Sequence, residues 1–147
     1  MKKVILILVS GLLLSGNAYS LNFTALKKFT EKDWSDPSKI MYIYQRCGAV
    51  MAYTAIRARD IDKNITNTSV GVSSYFVDKA TEMHQKINNY SFSESSNHII
   101  NKVEKLISLY KDDSNKIYLQ TGDYLSGIIS SDANFCVGAY TRLKSSS

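Results

Sequence analysis

Apolar residues in this chain recur every three or four positions through several long stretches, and no stretch sustains strand-type alternation between hairpin turns. Within residues 36–60 they fall at Ile40, Tyr44, Cys47, Met51, Ala55 and Ala58, the spacing of one helical face. Asp36 and Pro37 open this stretch with a capping carboxylate and a ring whose fixed φ suits the first helical position. Gly48, Ala49, Ala52 and Ala55 lie beside the stripe. Glycine inside a helix costs about 1 kcal/mol relative to alanine, so Gly48 predicts close approach by a neighbouring helix and marks this element as central.

The polar residues 57–68 separate it from a second pattern, Val72, Phe76, Ala80, Met83, Ile87 and Tyr90, with Thr66, Asn67 or Thr68 as the expected cap. Residues 91–96 read as a turn in which Ser95 or Ser96 caps a third helix. That helix carries Ile99, Ile100, Val103, Leu106, Ile107 and Tyr110 and closes at the charged residues 111–115. From 116 to 143 the period continues through Tyr118, Leu125, Ile128, Ile129, Asp132, Cys136, Tyr140 and Leu143. Gly122, Gly127 and the Ser130-Ser131 pair are places to kink or split this segment, but the unbroken register favours one bent helix. Ahead of the central helix, residues 21–33 put Leu26 and Phe29 on one side of a short leading helix, and Trp34 in the connection reads as a packing plug. The predicted class is therefore all-α, with four main helices plus a short N-terminal helix in a bundle. Residues 21–143 form its single domain, and residues 144–147 are expected to be a disordered tail.

The first twenty residues stand apart. Met1-Lys2-Lys3 is a basic start, residues 4–14 are apolar, and Ala18 and Ser20 supply the small residues of a cleavage site before Leu21, the pattern of a secretory signal peptide. The apolar run falls well short of the roughly 20 residues a spanning helix needs, so no transmembrane segment is expected after cleavage. Loss of Lys2 and Lys3 lowers the formal charge from +5 to +3, too weak and too dispersed to argue for nucleic acid. The composition and the leader point to a bacterial periplasmic or secreted protein, in which the Asn-x-Ser/Thr matches at Asn22, Asn64, Asn67 and Asn89 are chance.

An exported chain with two cysteines, Cys47 and Cys136, is read as carrying one disulfide that joins the central helix (second, counting the short leading one) to the last; buried free thiols or intermolecular pairing are the alternatives. Closing a loop of about 90 residues is worth on the order of 4 to 5 kcal/mol in the chain-entropy model. Asp132 interrupts the apolar stripe one turn before Cys136, and Arg46 adjoins Cys47, so a bridge would bring the two charges within reach of each other. The pair is expected either to fix helix register as a buried ion pair or to line a polar site with perturbed titration.

Catalytic motifs are missing. His84 and His98 lie on different helices with no HExxH or paired spacing, and are expected at the surface, so neither metal nor cofactor is expected. No GxSxG, P-loop or CxxCH occurs. A candidate binding face is the stripe Tyr42, Arg46, Tyr53 and Arg57, since tyrosine and arginine are enriched at interface hot spots. The competing account is that tyrosine, present in 10 copies, caps the edge of the core with its hydroxyl in water.

The stretch Gln45-Arg46-Cys47-Gly48-Ala49 in a tyrosine-rich helix, with the later Asp132-x-x-x-Cys136, is similar to small secreted helical proteins of unknown function from aquatic bacteria and their phages. The likeness spans the leader, the two cysteines and these two motifs. It adds support to the Cys47–Cys136 and Arg46–Asp132 pairings and carries over no activity and no site.

The leading expectation is an exported, non-catalytic helical domain that binds another protein, as an inhibitor or immunity-type partner. One alternative is a bundle enclosing a small apolar ligand, which needs an internal cavity of roughly 300 Å³ or more. The other is a small envelope-acting hydrolase using Asp132 or Glu104, which needs two acids facing each other across a cleft.

Overall fold

The computed structural model describes residues 24–146; the leader, the start of the expected leading helix and Ser147 lie outside it. The described residues form a bundle of four α-helices without a strand: α1 Pro37–Ala58, α2 Lys63–Asn88, α3 Phe92–Thr121 and α4 Ile128–Ser145. None is long and apolar enough to cross a membrane.

α1 is the axis of the bundle. Asp36 caps it, its Oδ1 accepting the backbone N–H of Ser38 at 2.9 Å and of Lys39 at 3.4 Å, with Pro37 at the first position. It touches all three other helices. Residues 45–51 are therefore buried without interruption, although the sequence pattern gave α1 only one apolar face. Gly48 is required by α2 and α3: a Cβ there would stand 2.9 Å from Val77 Cγ2 and 3.8 Å from Val103 Cγ2. The Ser73 hydroxyl of α2 also donates to the Gly48 carbonyl at 2.8 Å. Gly138 of α4 faces no such neighbour: the nearest atom to a Cβ there would be the tip of Arg142 in its own helix.

Several boundaries differ from the expected ones. Asp62, not Thr66, Asn67 or Thr68, caps α2, accepting the N–H groups of Asn64 and Ile65 at 2.8 and 3.0 Å. The opening turn of α2 faces solvent and so shows no apolar period. Ser91, not Ser95 or Ser96, caps α3 in a reciprocal box: its hydroxyl accepts the Glu94 N–H, and the Glu94 carboxylate accepts the Ser91 N–H at 2.9 Å.

α3 then runs through the charged residues 111–115, burying Ser114 while Lys111 and Asp112 stay in water, and stops only at Gly122, with φ 73°. Gly127, with φ 65°, precedes α4. Residues 116–143 are consequently not one bent helix but the end of α3, a turn and α4. Two residues with positive φ, which glycine adopts without strain, make the break. Lys144 and Ser145, expected in a disordered tail, form the last turn of α4.

Within the described part of residues 21–33 the short leading helix is a single 3₁₀ turn at Leu26–Lys28, and a second 3₁₀ turn follows at Asp33–Ser35. The Thr30 N–H and hydroxyl both donate to Asp33 Oδ2, at 2.7 and 2.9 Å, which diverts the backbone from a helical ladder. Trp34 is a packing plug, stacked on Phe135 at 6.2 Å and edge-on to Tyr44 at 6.5 Å.

Candidate functional site

Cys47 of α1 and Cys136 of α4 are bonded, with Cα atoms 5.4 Å apart. One turn along α4, Asp132 is completely buried and receives three donors. Its Oδ1 accepts the Leu26 N–H at 2.7 Å, and its Oδ2 accepts the Tyr110 hydroxyl at 2.6 Å and a short ion-pair contact from Arg46 Nη2. Arg46, 1% exposed, also donates through Nε to the Tyr110 oxygen at 3.1 Å and through Nη1 to the Thr24 carbonyl at 2.6 Å.

The cluster thus ties α1, α3, α4 and the N-terminal segment together. Burial first, and then the Asp132 carboxylate that accepts its hydrogen, push the Tyr110 hydroxyl far above its ordinary value, so it stays protonated. Burial alone would depress the Arg46 guanidinium, but Tyr110 and Asp132 outweigh that and raise it. Asp132 is thus held out of solvent between a permanent cation and a phenol that keeps its proton. Through the Leu26 N–H and the Thr24 carbonyl the pair docks the N-terminal segment onto the bundle.

The expected binding face Tyr42, Arg46, Tyr53 and Arg57 is not a surface. Arg46 belongs to the buried cluster. Tyr53 is 2% exposed, donates to the Ser114 hydroxyl at 2.7 Å and accepts from Arg57 Nε at 2.8 Å. Ser114 passes the chain on to the Tyr124 carbonyl, and Arg57 lies over the Tyr124 ring at 4.0 Å. The four residues follow one stripe of α1, but α3, α4 and the turn between them cover most of it; only Tyr42, at 37%, is substantially open.

Of the two histidines expected at the surface, His98 is exposed and His84 is not. His84 is buried, its Nδ1 3.1 Å from the buried Ser95 hydroxyl, and its ring stacks on exposed His98 with centroids 4.3 Å apart. Burial, and secondarily His98, hold the His84 imidazole below its ordinary value and hence neutral near neutral pH. Among the described residues no cluster of His, Cys, Asp and Glu could hold a metal. Glu104 is exposed whereas Asp132 is sealed, so these two acids do not share an environment.

The feature that best fits recognition was not foreseen. Between the first turns of α1 and the middle of α3 lies a surface groove of about 440 Å³, lined by Met41, Tyr42 and Gln45 on one side and His98, Lys102, Lys105 and Leu106 on the other. Its signal in the sequence is the spacing of His98, Lys102 and Lys105, which share one helical face. Two smaller grooves, beside Trp34 and Phe135 and between the start of α2 and α4, are likewise open at the surface and are not the internal cavity an enclosed apolar ligand would need. Comparison with known proteins finds no matching family model, no matching curated protein and no matching solved structure.

Proposed function

We propose that this protein is an exported, non-catalytic helical domain that acts by binding another protein outside the cytoplasm, in the manner of an inhibitor or immunity-type partner. The observation that carries the reading is the contrast between its polar core and its open groove. No buried side-chain nitrogen or oxygen among the described residues lacks a hydrogen-bond partner, so the interior offers no spare reactive group. The groove between α1 and α3 instead combines an aromatic ring, aliphatic side chains and exposed cations on two rigid helices, the mixture found at protein interfaces. A disulfide is compatible with export.

The direct test is a pull-down from periplasmic extract and culture medium with the oxidised chain lacking residues 1–20, run beside a Lys102→Glu/Lys105→Glu variant. A partner retained by the native protein and lost by the variant, with helical circular dichroism unchanged, supports the reading. Failure of the native protein to retain any partner from either source counts against it.

A further inference from the structure

Resting on the reading that the groove between α1 and α3 is the docking face, we infer that its occupant is an acidic amphipathic segment of a partner protein. That segment would seat an apolar side chain between Met41 and Leu106 and set carboxylates against Lys102 and Lys105.

Charge carries the argument. His98, Lys102 and Lys105 follow one face of α3, and no carboxylate lines the groove. Three other cations among the described residues stand in ion pairs: Lys39 with Asp33 at 2.5 Å, Lys79 with Glu82 at 2.9 Å, and Arg46 with Asp132. Lys102 and Lys105 have no such partner among the described residues. The nearby acids do not compensate. Glu94 is engaged in the cap of α3, and Glu104 falls on the opposite side of the helix from Lys102.

The floor is apolar and its walls are fixed. Tyr42 packs against Phe29 at 6.3 Å and lies beside the Arg46 guanidinium, while His98 is stacked on buried His84. A volume of about 440 Å³ is within the size of ordinary recognition pockets, enough for a few side chains of one segment. Two cations flanking an apolar floor attract an anion, and their long stems cover apolar surface while the ammonium groups stay available. Nucleic acid would call for a broader basic surface, which the net +3 of the described residues does not supply.

The experiment uses the isotope-labelled oxidised chain, titrated with a synthetic helical peptide that carries Leu on one face flanked by Glu. Controls replace every Glu by Gln or by Lys, and a further arm uses vesicles of phosphatidylglycerol. Amide shifts at Tyr42, Gln45, His98, Lys102 and Lys105 with the Glu peptide are expected, together with affinity that falls as salt rises and drops about tenfold or more in Lys102→Glu/Lys105→Glu. Equal binding of the Gln or Lys peptide, shifts confined to another face, or binding to vesicles but not to the Glu peptide would each overturn the inference. If native protein and variant retain the same partner in the pull-down, the groove falls while the protein-binding reading stands. If retention depends on the lysines but the Glu peptide does not bind, the groove stands and the acidic occupant falls.

Discussion

Two regions of α1, separated by a single turn, use polar residues in opposite ways. Around Arg46 and Cys47, against α4, the charges are sealed and partnered beside a covalent bond. Around Tyr42, against α3, the neighbouring cations are open and unpaired within the described residues. Both regions mix arginine or lysine with tyrosine, so composition does not distinguish them. What separates them is coverage. At Arg46 the N-terminal segment and α4 close over the helix, and burial then obliges every polar atom to find a partner. At Tyr42 nothing described here closes over the groove, and the lysines remain hydrated and available.

The contrast is broken most severely at the seam. Asp132→Ala leaves the Arg46 guanidinium buried without its counter-charge and is expected to cost about 3 to 5 kcal/mol, read by urea denaturation. A loss below about 1 kcal/mol would mean the seam is wetter than its geometry shows. Reducing Cys47–Cys136, which spans 89 residues of chain, should lower stability by about 2 to 5 kcal/mol by releasing a large loop in the unfolded state. The same denaturation series with and without reductant measures it.

Gly48→Ala tests the third side of α1. Because Val77 must shift to admit the Cβ, about 1 to 3 kcal/mol of overpacking is expected, against the gain that alanine normally brings to a helix. A stabilised variant would show that α2 yields easily.

The histidine pair behind the groove predicts a smaller, pH-dependent effect. The folded value of His84 lies below its ordinary 6.5, so below that pH the unfolded chain takes up a proton that the folded chain refuses. Its contribution to stability is therefore level above about pH 6.5 and declines as pH falls toward the lower folded value. Thermal unfolding across this range should show His84→Gln with a flatter slope than the native protein. An unchanged slope would place the titration elsewhere. The smallest effect on folding is expected at the groove: Lys102→Glu/Lys105→Glu should alter stability by no more than about 0.5 kcal/mol, because both side chains are exposed, while changing recognition most. A large loss of stability would mean that these lysines serve the fold.

Much of this seam was legible in the sequence. Asp132 stood out as a charge inside an apolar stripe, and its position one turn from Cys136 tied it to whatever lay beside Cys47. The partners Tyr110, Thr24 and Leu26 were not legible, since Tyr110 sat in an apolar stripe with its hydroxyl concealed and the other two contribute only backbone groups. The groove was less accessible still. Its two walls are more than fifty residues apart in the chain, and neither contains a motif.

By itself the sequence determined the helical class, the cap at Asp36 and the cysteine clasp, because helical period, capping and redox chemistry are properties of short segments or of composition. The Ser91 and Glu94 box was equally local and went unread only because the serines around it offered rival caps. Tertiary structure decided how far burial extends beyond each apolar stripe. The stripe from Tyr42 to Arg57 is the clearest case: its spacing fixed the angle of four side chains about α1, but spacing says nothing about what stands at that angle. Burial belongs to the neighbour that covers a face, and α3, α4 and the N-terminal segment covered three of the four residues in whole or in part, leaving Tyr42 as the most open.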